Sequence, residues 1–103
     1  MTPTQLSLRM MREGGYVCGV TEHWNPHAHI RQDLFGFGDI LCLGIDEVIM
    51  IQTTSYSNVS ARVKKITEHE NLAAVRKAGV RILVHGWFKN KSGRWEVKVV
   101  DIS

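Results

Sequence analysis

Long hydrophobic runs are missing from this chain. Its most apolar stretches, ILCLG and VIMIQ, fall far short of the roughly 18 residues that a membrane-spanning helix needs. The first residues, MTPTQLSLRMMREGG, hold no apolar core of signal-peptide length. Export and membrane insertion are therefore not expected, and a cytoplasmic setting is. Cysteine is scarce as well. Cys18 in YVCGV and Cys42 in ILCLG show no ligand spacing, so each reads as a buried reduced thiol and neither a disulfide nor a metal pair is expected. Proline is confined to Pro3 and Pro26, and no linker, repeat or low-complexity tract divides the chain. Charge of one sign is also modest. A net charge of +3 permits contact with a polyanion without demanding it.

What is present is one domain's worth of chain. The 103 residues, 44% of them hydrophobic, can bury one modest core. Thr2 and Pro3 read as the cap and first residue of a helix that Gly14-Gly15 ends, with Leu6, Met10 and Met11 toward the core. Tyr16 to Glu22 reads as a strand. His23 to His29 has no period and reads as a polar loop. Asp39-Ile40-Leu41-Cys42-Leu43 and Val48 to Gln52 form a hairpin around Gly44-Ile45-Asp46-Glu47. Ser57 or Asn58 caps a longer helix that runs to about Ala78 and closes at Gly79. Val80 to Trp87 and Trp95 to Ile102 are the last two strands, joined by a turn at Asn90-Lys91-Ser92-Gly93, and the final strand reads as an edge with Val97 and Val99 on its apolar side. The expected fold is α/β (α+β): helix, three antiparallel strands, helix, two strands, in a mixed sheet flanked by helices.

The strands ILCL and VIMI are apolar on both faces, as central, covered strands are. Into this dry hairpin the sequence places Asp39 at the entrance and Gln52 at the exit. A turn centred between Ile45 and Asp46 pairs Gly44 with Glu47, and counting outward pairs Asp39 with Gln52. Opposed residues have Cβ atoms roughly 4.5–5.5 Å apart on one face. A first strand ending at Glu22 brings a second carboxylate to the same edge. Glu22, Asp39 and Gln52 are hard oxygen ligands of the kind that suits Mg²⁺ or Mn²⁺. Taken singly, Asp39 is a turn cap and Gln52 a strand-end hydrogen-bonding residue. Together they are two polar groups at the mouth of an apolar hairpin, an arrangement that costs stability unless something uses it.

These residues resemble the PD-(D/E)XK, or restriction-endonuclease-like, superfamily. Its core order is helix–strand–strand–strand–helix–strand. Its pattern is an Asp on the second strand, then Glu or Gln, one residue and a Lys on the third. Here it reads Asp39, ILCLGIDEVIMI, then Gln52-Thr53-Thr54. The stretches RQDLFGFGDILCL and IQTTSYSNVSARVKKI also look like small phage and bacterial proteins of that superfamily, described as nuclease-like or Holliday-junction-resolvase-like. The similarity runs roughly from Gly14 to Trp95. It implies a metal-dependent endonuclease acting on DNA, selective for structure or ends, and a homodimer that addresses two strands. Thr54 stands at the Lys position and supplies no cation. Superfamily variants draw it from the following helix, which here carries Arg62, Lys64 and Lys65. At about 100° per residue, Arg62, Lys65, His69 and Arg76 share an arc of roughly 60°. Beside them Val59, Val63, Ile66 and Ala73 form an apolar face. Lys65 and Arg62 are the replacement candidates, although a basic helix face is also an ordinary solvated one. The superfamily's first-helix Glu maps onto Glu13 or Glu22, and strand-end geometry favours Glu22.

Other features fit a nucleic-acid surface without requiring one. Trp24 and Arg31 flank the histidine-rich loop and suit base stacking and phosphate contact. Thr54 and Asn58 stand near a helix start, where phosphate is bound in many proteins. Lys64 is on the helix, and Lys89 sits near a basic hairpin tip. His23, His27 and His29 lack the spacing of a structural zinc site. DLFGFGD lacks the third glycine and following helix of a dinucleotide fingerprint. Two rival functions remain: a catalytically inactive nucleic-acid binder, and a protein–protein adaptor built on the same scaffold.

Overall fold

A computed structural model describes residues 1–103. Helix α1, Pro3–Glu13, begins as its first residues dictate. Thr2 Oγ1 accepts from the Gln5 amide at 3.2 Å, and Gln5 Oε1 accepts from the Thr2 amide at 2.9 Å. This reciprocal cap satisfies two N–H groups that no helical turn can reach. Leu6, Ser7 and Met11 are buried, while Met10 is half-buried.

Five strands form the main sheet in the order β1-β4-β5-β6-β7. They are β1 Val17–Val20, β4 Ile40–Gly44, β5 Glu47–Ser55, β6 Arg81–Lys89 and β7 Trp95–Asp101. All neighbours are antiparallel except β5 and β6, so the sheet is mixed. Helix α1 covers one face over Ile40, Cys42, Ile49, Ile51 and Leu83. On the other face lie α2, Val59–Thr67, and α3, Leu72–Lys77. They pack Val59, Ile66, Leu72 and Val75 against Phe37, Met50, Ile82 and Val84. The architecture is thus a mixed sheet between helices, and no helix is long and apolar enough to cross a membrane. Strand β5 is central and dry on both sides. Strand β4 is less so: Leu43 is exposed, because α2 and α3 stop short of the β1 end of the sheet.

Several sequence expectations need correction. The first strand stops at Val20, so Glu22 lies just beyond it. The supposed loop after it is a second, small sheet. There β2, His23–Asn25, pairs with β3, Ile30–Gln32, and Trp24 faces Arg31. Asn25 makes this possible, because its Oδ1 accepts from the amides of His27 and Ala28 and closes a turn around Pro26. On β7, Val99 is exposed, while Val100 packs against the core, so the apolar side is not the one carrying Val97 and Val99. The two thiols, read as unrelated, prove to be direct partners across β1 and β4.

The long second helix is interrupted. A 3-10 turn at Tyr56–Asn58 precedes α2, and neither Ser57 nor Asn58 makes a capping bond. Residues 68–71 then separate α2 from α3. The break goes with local and long-range contacts that a continuous helix could not make. His69 Nδ1 accepts from the Asn71 amide at 3.1 Å, and Asn71 Nδ2 donates to the Phe35 carbonyl at 3.0 Å. The His69 ring meets Phe37 edge-on at 5.4 Å. The break turns α3 so that Leu72 and Val75 are buried and Ala73 is exposed. It also breaks the expected basic stripe, since Arg76 donates to the Ile102 carbonyl instead.

Gly36 is what lets His69 sit there. A Cβ at position 36 would lie 2.2 Å from His69 Nε2, and its φ of +93° is one that other residues rarely adopt. Gly36→Ala is expected to destabilise the fold by about 2 kcal/mol in urea titrations, combining overpacking with backbone strain.

Under α1 lies a buried polar chain. Trp87 Nε1 donates to Ser7 Oγ at 2.8 Å. The Ser7 hydroxyl proton is then free to donate to His85 Nδ1, 2.9 Å away. Burial pushes the His85 imidazole down to about 4, so it is neutral at physiological pH.

Candidate metal centre

Three carboxylates meet where β4 begins and β5 nears its end. One oxygen from each of Glu22, Asp33 and Asp39 lies within 4.8 Å of the others. Local pairing explains all three positions. The Thr21 amide donates to the Asp39 carbonyl at 2.8 Å, continuing the β1–β4 ladder and leaving Glu22 next in line. Leu34 and Gly38 form a bridge with both amide bonds at 2.8 Å, and the next outward pair is Asp33 with Asp39. The expected hairpin register of Gly44 with Glu47 is observed and runs as far as Ile40 with Ile51. Asp39 lies just beyond that ladder: its amide donates to the Ile51 carbonyl at 2.9 Å, and Gln52 meets it through the side chain rather than as a register partner.

Asp39 is almost wholly buried and its Oδ2 is fully engaged. It accepts from Gln52 Nε2 at 2.6 Å, from the Thr53 amide at 2.8 Å and from Thr53 Oγ1 at 3.2 Å. Thr53 Oγ1 is in turn 2.9 Å from Thr4 Oγ1, which ties α1 to the site. None of these three bonds is made to Asp39 Oδ1. Burial is the main reason why the Asp39 carboxyl is pushed up to about 7. The Asp33 carboxyl beside it acts in the same direction, and the Thr53 and Gln52 donors oppose it.

Gln52 carries the second observation. Its amide nitrogen serves Asp39, and its Oε1 is buried with no hydrogen-bond partner. A buried oxygen in that state costs about 1–3 kcal/mol. Exchanging the amide's oxygen and nitrogen would set an oxygen against a carboxylate, which is worse. Carboxylate oxygens and an amide oxygen with no protein partner fit a hard divalent cation. The residues present could therefore hold a metal ion.

The carboxylates line a polar cleft of about 340 Å³, bounded by Pro3 and Thr4 of α1 and by Arg62 and Lys65 of α2. Arg31 also lines it, with Nη1 3.9 Å from Glu22 Oε1. A second groove of about 500 Å³ shares Arg31, Asp33 and Lys65 with the first and adds His23 and His69. The result is an acidic floor with cationic walls.

The cleft gathers Glu22, Asp39, Gln52, Lys65, Arg62 and Arg31 from the sequence reading. The remaining candidates lie elsewhere. Trp24 is exposed on the small hairpin against His29. Thr54 is buried in the sheet. Asn58 Nδ2 donates to Ser55 Oγ. Lys64 is exposed and lines neither groove. Lys89 lies over the Trp95 ring at 5.1 Å, on the far hairpin. Glu13 pairs with Arg9 on the α1 surface, away from the cleft. Asp33 is the residue that sequence reasoning missed. Its signal was in LFGFG: a glycine-rich reversal with paired ends brings the flanking acids, Asp33 and Asp39, side by side.

Scanning known protein-family models, curated proteins and solved structures finds no match to this chain.

Proposed function

We propose that this protein is a divalent-cation-dependent phosphodiesterase acting on DNA, selective for strand structure or ends rather than for sequence. The observation that carries the reading is the cleft floor: three carboxylates beside a buried, partnerless amide oxygen, facing Arg31, Arg62 and Lys65. Glu22, Asp33 and Asp39 would hold Mg²⁺ or Mn²⁺, with Gln52 Oε1 as an auxiliary oxygen donor. A cation held there supplies Lewis acidity toward a phosphoryl oxygen. Lys65 and Arg62 stabilise the charge that grows on the phosphate during attack. Arg31, drawn toward Glu22 without a cation, becomes available to a neighbouring phosphate once that carboxylate is engaged. The resemblance to the PD-(D/E)XK superfamily points the same way, with α2 replacing the cation that Thr54 lacks. A homodimer that sets two such clefts on opposite strands belongs to the same reading.

One observation favours a second reading. Thr54 is buried and off the cleft, so β5 itself provides no catalytic cation. An inactive member that only binds DNA would have this feature. The deciding experiment incubates labelled duplex, single-stranded and branched DNAs with Mg²⁺ or Mn²⁺. Cutting is expected, lost by a factor on the order of 100 or more in Asp39→Ala and in Lys65→Ala. Binding without cutting in either metal would select the inactive binder. Absence of salt-dependent binding altogether would select the protein–protein adaptor.

A further inference from the structure

Cys18 on β1 and Cys42 on β4 are direct cross-strand partners. The Thr21 amide donates to the Asp39 carbonyl three steps along the same ladder. Hydrogen-bonded and non-hydrogen-bonded pairs alternate in such a ladder, so Cys18 and Cys42 form a non-hydrogen-bonded pair. Cα atoms in that setting are about 4.5 Å apart. That is inside the span a disulfide bridges. Both thiols are free, and their sulfurs are in contact at 2.8 Å. Cys42 is sealed in the core beneath α1, whereas Cys18 is half-buried and open to a small reagent. Neither has a part in the phosphodiester chemistry above.

The strand that carries Cys18 is the one most in need of a clamp. It has four residues and a single neighbour, and Val17 and Val20 are 70% and 50% exposed. Short edge strands with so little burial open locally at low cost. Yet β1 leads into Glu22, and β4 is entered from Asp39.

We propose that Cys18 and Cys42 are a reversible oxidation site, in which a hydroperoxide converts the pair to a cross-strand disulfide that latches β1 onto β4. The Cys18 sulfur, as thiolate, attacks the peroxide O–O bond and takes one oxygen as hydroxyl, giving a sulfenic acid; the hydroxide that leaves takes up the proton the thiol had given up and departs as water. The Cys42 sulfur then displaces that hydroxyl, its own thiol proton passing to the departing oxygen, so the S–S bond forms as the S–O bond breaks and a second water leaves. Two thiols lose two hydrogens and two electrons in all, and one hydrogen peroxide becomes two waters. Access sets the order of attack. Burial, with the Cys18 thiol adding to it, also pushes the Cys42 thiol well above the usual range and keeps it neutral.

The test treats the folded, metal-free protein with hydrogen peroxide and follows free thiols, peptide mass and amide hydrogen exchange. Both thiols are expected to disappear together into one linked Cys18–Cys42 peptide, and dithiothreitol should restore them. Exchange at the Gly19 and Thr21 amides should slow roughly tenfold in the oxidised form. Cys18→Ser should show neither change. Overoxidation of Cys18 without a linked peptide would overturn the site, and a linked peptide with unchanged β1 exchange would overturn the latch. No cation or nucleic acid enters these readouts, so the result stands apart from the phosphodiesterase reading.

Discussion

Asp39→Asn is expected to raise the melting temperature of the cation-free protein and to remove any response to Mn²⁺. Both effects have one cause. The Asp39 carboxylate is buried beside Asp33, an arrangement that favours its neutral form. An Asn side chain keeps an oxygen for the Gln52 and Thr53 donors, which now bond Oδ2. It removes the charge whose burial is costly. At pH 8, where the carboxylate would be ionised, the gain is on the order of 2 kcal/mol or more. The same substitution takes an anionic ligand from the centre, so Mn²⁺ should no longer stabilise the variant, whereas it should stabilise the wild type by mass action. Thermal unfolding of both proteins, with chelator and with Mn²⁺, makes the comparison. A variant less stable than wild type in chelator would mean that Asp39 is a structural acceptor and not a stored charge.

Acid dependence supplies the second large effect, and it involves two opposing groups. His85 has its folded pKa lowered from 6.5 to about 4. Between those values the unfolded chain binds the extra proton, so stability is complete above about pH 6.5 and declines as pH falls toward 4. At about 1.4 kcal/mol per unit, the loss reaches about 3 kcal/mol. Asp39 works the other way. Its folded pKa is raised from 3.8 to about 7, so the folded state binds the extra proton in that window and stability increases as pH falls through it. The two contributions are similar in size and overlap in pH. Wild-type stability in chelator should therefore be nearly flat from pH 6.5 to pH 4. Asp39→Asn removes one side of the balance and should make the protein steeply acid-labile across the same range. Urea titrations at a series of pH values give both curves. A wild-type curve that already falls by the full His85 amount would show that Asp39 does not oppose it.

The sequence made the sheet and the hairpin register legible because their signals are local. Turn chemistry around Gly44–Glu47 was enough to fix the hairpin as far as Ile40 with Ile51 and so to bring the Gln52 side chain to Asp39. The cap of α1 was equally plain, since Thr2 and Pro3 stand side by side at its start. The failures share a different origin. The break at His69 comes from contacts with Phe35, Gly36 and Phe37, more than thirty residues earlier, so the apolar period of α2 simply seemed to continue. The β2–β3 hairpin was hidden because its strands have three residues each, too few to show a period. Asp33 was overlooked because the glycines of LFGFG were compared with a dinucleotide fingerprint, not read as the reversal that returns the chain to Asp39.

The order in which the cleft's parts occur along the chain also bears on how it assembles. Every oxygen-bearing group of the floor, from Glu22 to Gln52, lies in one stretch tied by β1–β4 and β4–β5 pairings. The cations Arg62 and Lys65 arrive only with α2, whose packing depends on β6 and its parallel seam with β5. Loop closure favours the nearer pairings. The acidic floor, with Arg31, is thus the part best placed to form in the folding nucleus, and the two helix cations follow. A divalent cation would then act on the folding rate more than on the unfolding rate.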